Sequence, residues 1–354
     1  MTNTLPLVLM DPYPRTNAMI LSPSVRAKLH QIAEVVTVES GSIPDDVIDA
    51  CLPRVVAILG QTRMDAKRLS NSPNLRAIFN VEGNFLQNLD YAACFARGIR
   101  VASVAPAFAR SVAEYALALG LDLCRGVTHA DRLFRQGKES YGWKGNKDAR
   151  SLFKSNVGFI GFGNIAKALM PLLAPFGCFV RAYDPWVPDN VIRELGATAS
   201  SLHDLLQNSN IVFVLAAPTQ KNSHFIAAHE IALLQPHACL VVLSRAEVVD
   251  FEALKVALDA NKIQAAIDVF PEEPVALNDS LRSCESAILS AHRAGGLHST
   301  LQLIGEMAID DLELVIRGLP PVRLQSAHPE NIHLWKSRMG VADQGNRFKH
   351  HSKN

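Results

Sequence analysis

Twice along the chain, short apolar runs alternate with helical stretches, and that rhythm leaves few architectures open. In the first block, residues 7–10, 35–38, 55–59, 77–81 and 99–102 read as strands, with helical patterns such as 24–33 and 45–52 between them. Pro23 and Pro44 suit helix starts, because proline's missing N–H is no loss in a first turn. A second block repeats the pattern at 157–160, 179–183, 211–215, 240–243, 265–267 and 287–289. Runs this continuously apolar fit strands covered on both faces, as in a parallel sheet with helices on either side. The alternation therefore predicts two α/β domains, each built on a doubly wound parallel sheet.

Residues 111–124 form a strongly amphipathic pattern, with Ser111 placed to cap a helix and Glu114 three residues on to complete a capping box. Its length suits a bridge between domains. Residues 135–154 are polar and read as irregular, and 299–318 are helical until Pro320-Pro321. The expected division is 1–110 with 300–325 as one discontinuous substrate domain, 111–299 as a nucleotide-binding domain, and 326–354 as a polar, basic, mobile tail.

The 354 residues include 48% hydrophobic and 19% charged, enough apolar material for two buried cores. A formal net charge of +1 gives no reason to expect nucleic acid or an anionic membrane as partner. No apolar run is long enough to span a bilayer. The first 14 residues lack a basic n-region and a small-residue cleavage pattern, so they read as a first strand, not a signal peptide, and the expected location is the cytoplasm. Six scattered cysteines include no CxxC pair. That predicts buried, reduced thiols, with neither a disulfide framework nor a metal site.

Between the strand at 157–160 and a helix at 165–173 lies Gly161-Phe162-Gly163-Asn164-Ile165-Ala166. The first glycine permits a tight turn, the second lets the backbone approach a pyrophosphate, and Ala166 is small enough for the helix to pack on its strand. The helix start, at Asn164 and Ile165, then offers N–H groups to phosphate. A bare GxGxxA is weak; here Asp184 ends the following strand at about the expected 20-residue spacing, where a carboxylate accepts the adenosine ribose hydroxyls. That carboxylate would repel a 2′-phosphate, which favours NAD over NADP. The pattern is that of a Rossmann nucleotide-binding domain.

Several further segments extend the comparison. VGFIGFGNIAKALMPLLAPFGCFVRAYDP resembles the cofactor-binding core of the D-isomer-specific 2-hydroxyacid dehydrogenases, VVLSRAEVVDFEALKVAL their arginine motif, AAIDVFPEEP their Asp-Val-Phe…Glu-Pro motif, and LSAHRAGG their histidine motif. RGIRVASVAPAFARSVAEYALAL is similar to their domain-crossing segment. The resemblance covers roughly residues 75–318, with the motifs in order. It implies a flavodoxin-like substrate domain beside the Rossmann domain, a cleft site between them, and a homodimer formed through the nucleotide domain, to which the 111–124 helix could contribute. It also implies that Arg245 binds the substrate's carboxylate and keto oxygen, that His292 is the general acid–base, and that Glu273 holds its tautomer and raises its pKa. Asp268 would lie near the nicotinamide, Ala216 and Pro218 would edge the adenine, and the Val81, Glu82 and Gly83 loop would hold the substrate carboxylate.

The implied reaction is NAD(H)-dependent reduction of a small 2-keto acid, such as glyoxylate or hydroxypyruvate, to a D-2-hydroxy acid. Two alternatives stand beside it. One is a relative that oxidises another small anion such as phosphite or formate, although Glu273 argues against formate. The other is an NAD-sensing binding protein or corepressor without turnover. Two departures bear on the second: Ala246 stands where the family usually has glycine, and Arg293 beside His292 is unusual, although solvent is the plainer destination for its side chain. The 215–218 run is bland for an adenine edge, and the loop at 81–87 is longer than common.

Overall fold

In the computed structural model, which describes residues 5–334, thirteen strands form two sheets. They are β1 (Leu7–Asp11), β2 (Glu34–Thr37), β3 (Val55–Gly60), β4 (Ala77–Asn80), β5 (Arg100–Ser103), β6 (Asn156–Ile160), β7 (Phe179–Tyr183), β8 (Thr198–Ala199), β9 (Ile211–Val214), β10 (Cys239–Val242), β11 (Gln264–Ile267), β12 (Ala287–Leu289) and β13 (Gln325–Ser326). The chain divides into two units, one holding residues 5–108 and 296–334, the other Ala109–Gly295.

In the first unit the order is β13-β5-β4-β3-β1-β2. Five strands are parallel in the flavodoxin-like order 2-1-3-4-5, and β13 adds an antiparallel edge. Both faces are apolar, which is why the strands read as unbroken hydrophobic runs. Val8, Met10, Leu59 and Phe79 pack on one side against Ile304, Ala308 and Leu312 of helix His298–Ile316. Leu9, Ile58, Ile78 and Val101 pack on the other against Ile48, Leu69 and Cys94. Gly305 lets that helix touch the short helix Asn17–Ile20, because a Cβ there would lie 1.9 Å from the Ile20 carbonyl oxygen.

The second unit orders its strands β12-β11-β10-β9-β6-β7-β8, all parallel. Counted within the unit this is the Rossmann order 3-2-1-4-5-6, extended by one strand, with the switch point between β6 and β9. Its core joins Ile160, Val214 and Val242 to Leu205, Leu206, Ile231 and Leu254 from the covering helices.

Three sequence expectations need correction. The bridging helix runs Ala105–Arg125, so it starts six residues before Ser111, which lies buried inside it and caps nothing. Pro106 is tolerated in a first turn, so the Ser-x-x-Glu pattern marked helix interior and not helix start. Gly120 sets this helix directly on β9, since a Cβ would meet Ile211 and Phe213 at 2.9 Å. A further helix, Val127–Arg135, follows the left-handed Gly126, and Asp122 ties its start by accepting the Thr128 N–H at 2.8 Å. All six cysteines are free, but only Cys94, Cys124 and Cys239 are buried; Cys51, Cys178 and Cys284 are half-exposed.

The third correction concerns the chain after the last long helix. Residues expected in a mobile tail from 326 are instead built in: β13 pairs with β5, Ala327 donates its N–H to the Val101 carbonyl at 2.8 Å, and Ile332 is buried. Residues 335–354 lie outside the described residues. The return is held by Asp311, fully buried, whose carboxylate accepts the N–H groups of Val322, Arg323 and Leu324 at 2.8–3.1 Å. Composition hid this, because one buried carboxylate satisfies a polar turn that has little apolar surface of its own. Asp311→Ala strips three backbone donors of their acceptor. We expect a loss of roughly 2–4 kcal/mol in the stability of the first unit, read as a lower urea midpoint.

Candidate active site

All the positions the sequence singled out in the second unit follow the carboxyl ends of its strands, the edge where open α/β sheets bind ligands. Gly161 follows β6, Asp184 follows β7, Ala216 and Pro218 follow β9, Arg245 follows β10, Asp268 and Glu273 follow β11, and His292 follows β12. Since β10, β11 and β12 are neighbours in the sheet, the three catalytic candidates descend from adjacent strands.

The dinucleotide grip has the form that chemistry requires. Gly161 has φ +97, and a Cβ on it would lie 2.6 Å from the Ala216 backbone nitrogen, so glycine alone fits where β6 and β9 part. Gly163 has nothing within 4 Å of a built Cβ, which leaves the backbone open to an approaching group. It precedes helix Asn164–Leu173, whose first turn carries no side-chain cap, so its N–H groups and dipole face that opening. Ala166 is buried against the strands. Asp184 accepts the Phe162 N–H at 2.8 Å through one oxygen and the Trp186 N–H at 2.9 Å through the other. Its remaining lone pairs are what a ribose diol would use. Ser244 Oγ donates to the Ala216 carbonyl at 2.7 Å, and Asn222 braces Ala217 and Thr219, so the 215–219 edge is held from two sides. These residues fit a dinucleotide.

Glu273 and His292, 19 positions apart in sequence, meet directly: His292 Nδ1 stands 2.9 Å from Glu273 Oε2. The other carboxylate oxygen accepts the Phe270 N–H at 3.0 Å, which fixes the carboxylate's orientation. His292 is an L-residue at φ +50, the left-handed region, where histidine is uncommon and held only by its surroundings. Asp268 supplies that hold. It is fully buried, its carbonyl accepts the His292 N–H at 2.7 Å, and its carboxylate accepts from Ser290 Oγ, Arg293 N and Ala294 N at 2.5–3.0 Å. The sequence reading gave Asp268 a place near the nicotinamide; the geometry shows it building the loop that presents the histidine.

Arg245 is half-buried, and its Nη1 donates to the Ser244 carbonyl at 2.7 Å. Ala246, the departure after it, is buried in the core and does not take the left-handed backbone that would demand glycine. Arg293 is exposed, so the second departure points to solvent.

In the first unit, Val81, Glu82 and Gly83 follow β4. Asn80 Oδ1 accepts the Glu82 N–H at 2.9 Å. Arg15, which sequence reading missed, pairs with the Glu82 carboxylate at 2.7 Å, donates to the Val81 carbonyl at 3.1 Å and lies 5.7 Å from the Phe108 ring centre. Its only sequence signal is a place just past the end of β1, among prolines.

Residues 117–294 match the family model for the D-isomer specific 2-hydroxyacid dehydrogenase, NAD binding domain. The chain belongs to that family. A glyoxylate reductase of Korarchaeum cryptofilum is 30% identical over 261 residues, 73% of this chain and 78% of that protein. A D-3-phosphoglycerate dehydrogenase of Mycobacterium tuberculosis is 30% identical over 303 residues, but this chain spans only 56% of its length. Among solved structures, a phosphoglycerate oxidoreductase from Rhizobium etli superposes with a TM-score of 0.83 at 40% identity, covering 91% of this chain and 98% of that one. The cofactor of this dehydrogenase is NAD. No helix among the described residues is long and apolar enough to cross a membrane.

Proposed function

We propose that this NAD-dependent 2-hydroxyacid dehydrogenase reduces a small 2-keto acid, glyoxylate or hydroxypyruvate in kind, to the D-2-hydroxy acid, and runs the reverse reaction when product is in excess. The observation that carries the reading is the His292–Glu273 pair at 2.9 Å on a loop fixed by a buried carboxylate. NAD, when bound, exchanges the hydride. His292 moves the proton: with Nδ1 engaged by Glu273, Nε2 is the atom left to protonate the carbonyl oxygen, and its lone pair takes the hydroxyl proton in reverse. Glu273 stabilises the charged imidazole and fixes its tautomer. The Arg245 guanidinium suits the planar carboxylate and keto oxygen, because its fork donates two parallel hydrogen bonds. Val81 and Gly83 offer backbone to the substrate carboxylate, and Glu82 braces their loop through Arg15.

NADH consumption across a panel of 2-keto acids tests the reading. Turnover is expected on two- and three-carbon acids. NADH binding without turnover on any of them would move the protein to the sensor class.

The same reading includes a homodimer formed through the nucleotide domain. The helix Ala105–Arg125 spends much of its apolar face inside the fold, with Val112, Ala113, Ala116, Leu119, Leu123 and Cys124 buried. Beyond it, Val127, Phe134, Tyr141 and Trp143 are exposed, Tyr141 at 77% and Trp143 at 78%. Aromatic side chains gathered on one surface segment are what interface cores use. Phe134→Glu with Trp143→Glu should convert a dimer to a monomer in light scattering. A dimer that survives the pair of charges would place the contact elsewhere.

A further inference from the structure

Cysteine spacing argued against a metal site, since no CxxC pair is present. The fold nevertheless gathers one. His203 lies in the first turn of helix Leu202–Asn208, and His229 and Glu230 lie in the first turn of helix Ala228–Leu233. One ligand atom from each of the three falls within 4.8 Å of the others. We propose that His203, His229 and Glu230 form a site for a divalent transition-metal ion of the zinc class, separate from the dehydrogenase residues.

The two rings stand near the spacing that a shared ion needs. Their centroids are 5.4 Å apart and their planes 59° apart. With metal–nitrogen bonds of about 2.0–2.1 Å and tetrahedral angles, two imidazoles on one ion have centroids roughly 5 Å apart. Both histidines are exposed, so each can turn a ring nitrogen to the ion without breaking the core.

The third ligand is already oriented. Glu230 Oε2 accepts the Ala227 N–H at 3.2 Å, which leaves Oε1 for a metal. A ligating carboxylate that is itself hydrogen-bonded is the usual support for a metal site. The scaffold beneath is rigid, because Leu205, Leu206 and Ile231 of the same two helices are buried in one core. Two imidazoles and one carboxylate suit zinc, nickel or copper and not calcium or magnesium, and the fourth position stays open to water. Bound there, the ion would clamp two helices that cover the nucleotide sheet.

The test is zinc titration of the full chain by calorimetry, with thermal unfolding as a second readout. The wild type is expected to take up one zinc ion that His203→Ala and His229→Ala each weaken at least tenfold. Zinc should raise the Tm of the wild type and leave both variants unmoved, because only binding to the folded form stabilises. Glu230→Gln keeps the capping hydrogen bond while removing the charge, and should weaken binding to a smaller degree. Histidines elsewhere, including His350 and His351, are common to every variant, so they cancel in the comparison. Equal zinc affinity and equal Tm shifts in wild type and both histidine variants would overturn the site. So would calcium binding as tight as zinc.

Discussion

His292→Asn should lower turnover on a 2-keto acid about 10²–10⁴-fold, the usual contribution of a positioned general acid. Asparagine is the informative replacement because His292 sits at φ +50, where asparagine is at ease and alanine is strained. The loop that Asp268 holds through Arg293 and Ala294 then survives, and only the proton donor is lost. NADH affinity, measured by fluorescence titration, should be unchanged, since the grip around Gly161, Gly163 and Asp184 lies on other strands. Glu273→Gln should act in the same place and more mildly. A glutamine carbonyl can still accept from Nδ1, but it no longer stabilises the imidazolium, so kcat should fall at least about tenfold while KM for the keto acid moves little. Full turnover in His292→Asn would remove the histidine from the chemistry and leave the Glu273 contact as a loop brace.

Much of the fold was legible in the sequence. Strand positions were, because burial on both faces leaves continuous apolar runs, as at 157–160 and 240–243. The glycine turn was as well, since only a residue without Cβ can pass 2.6 Å from Ala216. What escaped depends on contacts between residues far apart in sequence. Arg15 and Glu82 are 67 residues apart, and no periodicity announces their ion pair. The zinc-class cluster pairs His203 with His229 across a strand and a long loop. Ser111 misled because Ser-x-x-Glu has the same letters inside a helix as at its start, and only the burial of Ser111 tells them apart. The bonds that Asp268 makes escaped too: they reach 22 to 26 positions along the chain, and a motif cannot say which way a carboxylate turns.

Arg245 carries the second large effect. Two charge-assisted hydrogen bonds at about 1.5–3 kcal/mol each amount to roughly 10²–10⁴-fold in kcat/KM, so Arg245→Met should lose that much on any 2-keto acid. Arg245→Lys separates charge from geometry. Lysine keeps the positive charge but presents one donor point and not a planar fork, so it should recover only part of the loss. The KM rise should exceed the kcat fall in Lys, because the carboxylate is bound in both ground and transition states. Ala246, the next residue, lies in the core at ordinary backbone angles. NADH titration should again be flat across the series. If Lys restored full kcat/KM, Arg245 would be acting as a charge that draws the anion in and not as a fork that binds it. The steep salt dependence of that steering would then show in the same assay.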